Sequence, residues 1–128
     1  MPPVLVIEDE QVIRELLTEI LAGAGHDVRS AANGMEAFAV LDGWTPDLIL
    51  LDLNMPQMDG WTFRAHQLAL HGIAQVPVVV LSATADLASA ARTLVPAATL
   101  RKPFEIEDIL RIVTSVLRTE TLPTDVPA

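Results

Sequence analysis

A chain of 128 residues, 51% hydrophobic and 20% charged, carries ample apolar surface for one core but too little length for two, which excludes a disordered chain and indicates one domain. Its formal net charge of −9, with only eight Lys and Arg, argues against a surface that grips nucleic-acid phosphates and favours basic or metal partners. The absence of cysteine removes disulfides, thiol nucleophiles and thiolate metal sites from consideration.

The opening Met-Pro-Pro-Val-Leu-Val-Ile-Glu has no basic segment and turns acidic by Glu8, so it does not read as a signal peptide. No apolar run approaches the roughly 20 residues that span a bilayer. The expectation is a soluble, cytoplasmic protein without membrane or direct nucleic-acid partners.

Pro3–Ile7 is a short run of branched apolar residues, the pattern of a strand buried on both faces, and Glu8-Asp9-Glu10 follows it. From Gln11, the positions Val12, Ile13, Leu16, Leu17, Ile20 and Leu21 recur at helical spacing, with Gly23 and Gly25 as a stop. His26–Ala31 predicts a short strand, Asn33-Gly34 a turn, and Met35–Leu41 a brief helix closed by Gly43. Asp47–Leu53 is a second strongly apolar strand. A loop from Asn54 to Gly60 leads to a helix over Trp61–Leu70, then a strand over Val76–Leu81 and an alanine-rich helix over Ala85–Leu94. Ala97–Arg101 is a weak strand, and Ile106, Ile109, Leu110, Val113 and Leu117 mark a closing amphipathic helix. The segment 119–128, TETLPTDVPA, has two prolines and no periodicity and reads as a tail or linker stub behind a domain over 1–118.

Strands alternating with helices predict an α/β fold with a parallel sheet covered on both faces. In such sheets the ligand crevice lies outside the carboxyl ends of the strands. Each strong strand here ends in a polar residue: Glu8 and Asp9, then Asp52, then Ser82, and Lys102 after the weak last strand. The carboxylates should therefore converge. Two unit charges 4 Å apart repel by roughly 4 kcal/mol at an effective dielectric of about 20, so the cluster must protonate, pair or bind a cation. A hard divalent cation with oxygen ligands is the natural occupant, and Mg2+ prefers one or two carboxylates with waters and a phosphate. Lys102 and the Ser82 hydroxyl can balance the oxygens of a phosphoryl group, and Asp52 can act as a carboxylate nucleophile.

From Val4 to Leu117 the chain resembles a receiver domain of the two-component response regulators, the CheY-like family. The resemblance rests on Glu8-Asp9, Asp52 within DLNMPQMDG, Ser82-Ala83 and Lys102-Pro103-Phe104, in that order at the ends of alternating strands. It implies a flavodoxin-like, doubly wound, five-stranded parallel sheet in the order 2-1-3-4-5 with five helices. It also implies that Asp52 accepts a phosphoryl group from a sensor histidine kinase or phosphotransfer protein. Asp9, Asp52 and the backbone carbonyl of Asn54 would hold Mg2+, with Glu8 acting through water. Lys102 would contact the phosphoryl group, the Lys102-Pro103 bond would be cis, and Ser82 would be the switch hydroxyl. The output would be altered binding to a downstream protein or output domain. Nothing after Leu117 reads as an output domain, so a stand-alone receiver or a piece of a longer regulator is expected. Where the family usually carries Tyr or Phe, three residues before the lysine, this chain has Thr99, and the interval from Ser82 to Lys102 is short. Coupling through an aromatic rotamer is therefore not expected.

Other readings weigh less. A phosphatase with an aspartyl nucleophile needs a second aspartate two residues on, where Asn54 stands. A pseudo-receiver that binds proteins without phosphorylation has only Thr99 in its favour. Enzymatic activity beyond self-phosphorylation and its reversal is not expected. Asp59 reads as a helix cap and Gly60 as a tight-approach residue. His26, His66 and His71 lack metal-ligand spacing. Trp44, Trp61 and Phe63 read as packing residues and Met55 and Met58 as loop hydrophobes.

Overall fold

β1 (Val4–Ile7) consists of four apolar side chains with no solvent exposure, a run that only a strand covered on both faces can bury. The computed structural model describes residues 2–53, 60–70, 72–82 and 96–121. In them β1 is followed by α1 (Gln11–Gly23), β2 (Val28–Ala31), α2 (Gly34–Leu41), β3 (Leu48–Asp52), α3 (Gly60–Leu68), β4 (Val78–Ser82), β5 (Ala98–Arg101) and α4 (Ile106–Thr121). All strand pairs are parallel, and the sheet order is β2-β1-β3-β4-β5. The fold class and strand order match the sequence expectation. Four helices fall among the described residues; the expected helix over Ala85–Leu94 lies outside them.

The strands divide their side chains by parity, because successive residues face opposite sides of a sheet. Leu5, Ile7, Ile49, Leu51, Val78 and Val80 form one core layer with Ala37 and Leu41 of α2 and Phe63 of α3. Val4, Val6, Leu48, Leu50, Val79 and Leu81 form the other, with Leu17 and Leu21 of α1 and Ile109, Val113, Val116 and Leu117 of α4. Phe63, fully buried, stacks on Phe38 with ring centroids 4.8 Å apart, so it is a packing residue, as expected. Trp44 packs at the core margin and carries Arg29 over its ring at 4.6 Å, a cation–π contact.

Several boundaries shift from the sequence reading, two of them for a reason visible in the local hydrogen bonds. Asn33 is the N-cap of α2, its Oδ1 accepting from the Glu36 N–H at 2.9 Å, so the Asn-Gly pair starts a helix in place of a free turn. β2 begins at Val28 because His26 is occupied elsewhere: its Nδ1 lies 2.9 Å from the Pro2 carbonyl and its N–H donates to Leu21. α3 begins at Gly60 and ends at Leu68, and residues 72–75 form turns before β4. Gly43, with a φ of +84°, ends the segment after α2 in a conformation that side chains with a Cβ rarely adopt. α4 continues to Thr121, past the point where the tail was expected, and the remaining residues lie outside the described ones.

Candidate phosphoacceptor and metal site

The carboxyl ends of four neighbouring strands, β1, β3, β4 and β5, carry the site. Backbone bonds extend the ladder past the strands: Glu8 N–H donates to Ala31 at 3.0 Å, Leu53 N–H to Leu81 at 3.1 Å and Lys102 N–H to Ser82 at 2.9 Å. Parity then decides which side chains meet. Asp52 continues the Leu48–Leu50 face, Glu8 the Val4–Val6 face and Lys102 the Ala98–Leu100 face, all on the side of α1 and α4.

The outcome is a compact charged cluster. Carboxylate oxygens of Glu8, Asp9 and Asp52 all lie within 4.8 Å of one another. Glu8 is fully buried, Asp52 is 2% exposed and Asp9 is half-buried. Lys102 Nζ stands 2.7 Å from Glu8 Oε1 and 3.6 Å from Asp52 Oδ1. Burial alone would lower the ammonium's pKa, but the contact with Glu8 and the charges of Glu8, Asp52 and Glu10 outweigh it and hold the pKa above the ordinary lysine value. Lys102 therefore stays charged.

One ammonium does not balance the charge of three carboxylates. Glu8 Oε2 accepts from the Glu10 N–H at 3.2 Å, whereas Oε1 has no aligned hydrogen-bond donor and relies on its ion pair with Lys102. A buried oxygen left in that state, beside two further carboxylates, fits a hard divalent cation that accepts oxygen ligands. Neither Glu8 nor Asp9 is the N-cap of α1; that position is Glu10, which makes no side-chain cap bond.

The remaining expected residues fall as follows. Ser82 is fully buried at the end of β4, one position beyond the Asp52–Leu81 register pair. Thr99 is half-buried in β5 opposite Val80. The Lys102–Pro103 peptide is cis. Pro103 lines, with Glu10, Ile13, Leu16, Lys102 and Phe104, a largely apolar cleft of about 380 Å³ beside the charged cluster. A larger cavity, about 550 Å³, is lined by His66 and Asp42 among others, and no acidic cluster lies there among the described residues. Gly60 opens α3; Asn54, Met55, Met58, Asp59 and His71 and the side chain of Trp61 lie outside the described residues.

Two arrangements carried no signal in the sequence reading. Arg14 Nη1 donates to the carbonyls of Glu8 at 2.9 Å and Asp9 at 3.3 Å, gripping the acidic loop by its backbone. On α3, buried Arg64 donates to Gln67 at 2.8 Å, and Gln67 donates to the carbonyls of Ile73 and Val76 at 2.9 and 3.0 Å, fastening the segment before β4. A long polar side chain in an amphipathic helix reads as solvated, and backbone acceptors leave no trace in the sequence.

A family model described as the response regulator receiver domain matches residues 4–114. The chain belongs to that family. The receiver is 34% identical over 126 residues to the DNA-binding dual master transcriptional regulator RpaA of Synechocystis, a match covering 96% of this chain and 52% of the relative. It is 41% identical over 91 residues to the Regulator of RpoS of Escherichia coli, covering 71% of this chain and 26% of that protein. The receiver thus spans about half and about a quarter of these relatives. Among solved structures, chemotaxis response regulator CheY4 of Vibrio cholerae superposes with a TM-score of 0.84 at 29% identity, covering 91% of this chain and 98% of that one. NtrX of Brucella abortus superposes with a TM-score of 0.88 at 26% identity, covering 97% of this chain and 28% of that one. The role of this domain is accordingly that of a phosphorelay receiver, a signalling module of two-component systems. No described helix is long and apolar enough to cross a membrane.

Proposed function

We propose that Asp52 is the phosphoacceptor, that Glu8, Asp9 and Asp52 with the Asn54 carbonyl hold Mg2+, and that the donor is the phosphohistidine of a sensor kinase or phosphotransfer protein. The observation that carries this reading is the cluster itself: three carboxylates within 4.8 Å, two of them buried, with one lysine reaching both. The Asp52 carboxylate attacks phosphorus, the O–P bond forms as the donor N–P bond breaks, and the imidazole nitrogen keeps the electron pair. Lys102, held charged, offsets the phosphoryl oxygens, and Ser82 offers them a hydroxyl donor. Mg2+, when bound, supplies the remaining neutralisation of charge. Later attack of water on the acyl phosphate releases inorganic phosphate and returns Asp52 to its carboxylate.

The added charge, about −1.5 to −2, biases the surface toward another protein or an output domain. With Thr99 in place of an aromatic ring, Ser82 couples to that surface without a ring rotamer. The domain spans 1–118, with α4 running on to Thr121 into the tail or linker over 119–128; it works in the cytoplasm and performs no enzymatic reaction beyond gaining and losing its own phosphoryl group.

The test is incubation with acetyl phosphate and Mg2+ followed by intact-mass measurement. Wild type gains one phosphoryl adduct and Asp52→Asn gains none. A wild type that stays unmodified, with a cognate kinase as well as with acetyl phosphate, selects a protein-binding pseudo-receiver.

A further inference from the structure

Only three residues, Glu8 to Glu10, connect β1 to α1; one side chain holds the carbonyls of the first two, and the third accepts the first backbone bond of the helix. Arg14 Nη1 donates to Glu8 O at 2.9 Å and Asp9 O at 3.3 Å, and the Arg14 backbone N–H donates to Glu10 O at 2.9 Å. Arg14 is half-buried on α1, and its own carbonyl accepts from Thr18 Oγ1 at 2.8 Å. We propose that Arg14 is a positioning residue for the metal site: it fixes the backbone of the acidic loop so that the Glu8 and Asp9 carboxylates are presented at one spacing. The inference rests on the reading of the cluster as a cation site.

The physical reason is competition for geometry. Three like-charged side chains push a short loop apart, and backbone carbonyls are themselves ligands that a hard cation would take. A planar guanidinium aims its donors in fixed directions, and here one terminal nitrogen, Nη1, with two N–H groups, engages both successive carbonyls. With its carbonyls engaged, the loop offers the cation its side chains. Residues that orient metal ligands typically change metal affinity about 10- to 100-fold when replaced.

The sign of the effect separates this role from two alternatives. Arg14 is also a positive charge beside a cation site, so electrostatics alone predicts that its removal tightens Mg2+ binding. A merely structural role predicts lower stability at unchanged affinity. Positioning predicts weaker binding despite the lost repulsion.

The experiment is calorimetric titration of Mg2+ into wild type, Arg14→Met and Arg14→Lys, with hydrogen exchange of the Glu10 amide followed in the metal-free proteins. Arg14→Met should weaken the Mg2+ Kd about tenfold. Arg14→Lys, which keeps the charge and can reach one carbonyl, should fall between. The Glu10 amide, which donates to Glu8 Oε2, should exchange faster in Arg14→Met. Unchanged or tighter Mg2+ binding in Arg14→Met overturns the proposal. If Arg14→Met fails to fold, Arg14→Lys decides by the same two readouts. A wild type that does not bind Mg2+ sinks the reading of the site, while exchange at Glu10 still shows whether Arg14 governs the loop; unaltered exchange overturns that role separately.

Discussion

At Glu8, burial and charge work against each other. A fully buried carboxylate is costly unless paired, and its Oε1 relies on a single lysine that stands near Asp52 as well. Three carboxylates facing one ammonium leave the metal-free cluster with excess negative charge. Replacing Asp9 with Asn removes one charge from the half-buried edge of the cluster, where solvent screening keeps the relief small. In chelator, Asp9→Asn should therefore be more stable than wild type by on the order of 1 kcal/mol. Mg2+ should raise the Tm of wild type, since a ligand that binds only the folded state stabilises it, and should barely move that of the variant. Thermal melts with and without Mg2+ check both; a variant with an intact Mg2+ response would place the ion elsewhere. The acidic residues and Lys102 were legible because each follows an apolar strand that topology brings to one edge. Arg14 was not, because its partners are carbonyls.

Among the elements, the helix starts show how capping chemistry fixes boundaries that periodicity leaves open. α2 starts at Gly34 because Asn33 caps the Glu36 N–H and Glu36 Oε1 accepts from the Ala32 N–H at 2.9 Å, a reciprocal pair that Asn-Gly alone reads as a turn. α4 starts after Glu105, whose N–H donates to Asp108 Oδ2 at 3.1 Å while Arg111 Nη2 donates to Asp108 Oδ1 at 2.7 Å. The bond from Glu105, then Arg111, hold the Asp108 carboxyl below the ordinary aspartate pKa. Its contribution to stability is therefore complete above about pH 4 and is lost as pH falls through the lower folded value. The stability difference between wild type and Asp108→Asn should be constant from pH 5 to 7 and shrink below pH 4, measured by urea unfolding. A difference that stays flat to pH 3 would contradict the assignment. The central strands were legible to within a residue or two because they are buried on both faces. β2 and β5, at the sheet edges with exposed positions, gave weaker patterns and less certain ends.

For the molecule as a whole, alternating strands and helices limited the topology to a parallel sheet, and the observed order β2-β1-β3-β4-β5 places β1 and β3 side by side. That adjacency unites Glu8, Asp9 and Asp52, while β4 and β5 bring Ser82 and Lys102 to the same edge. Nothing in composition or periodicity specifies the strand order itself; the family resemblance supplied it. Everything proposed for signalling depends on Asp52 being the atom donor to phosphorus. The most direct measurement is borohydride reduction of the protein after acetyl phosphate and Mg2+ treatment, which converts an acyl phosphate to homoserine, followed by peptide sequencing in the mass spectrometer. The account predicts homoserine at position 52 and, in Asp52→Asn, none anywhere. Homoserine at another aspartate in wild type, or its persistence in Asp52→Asn, would contradict it.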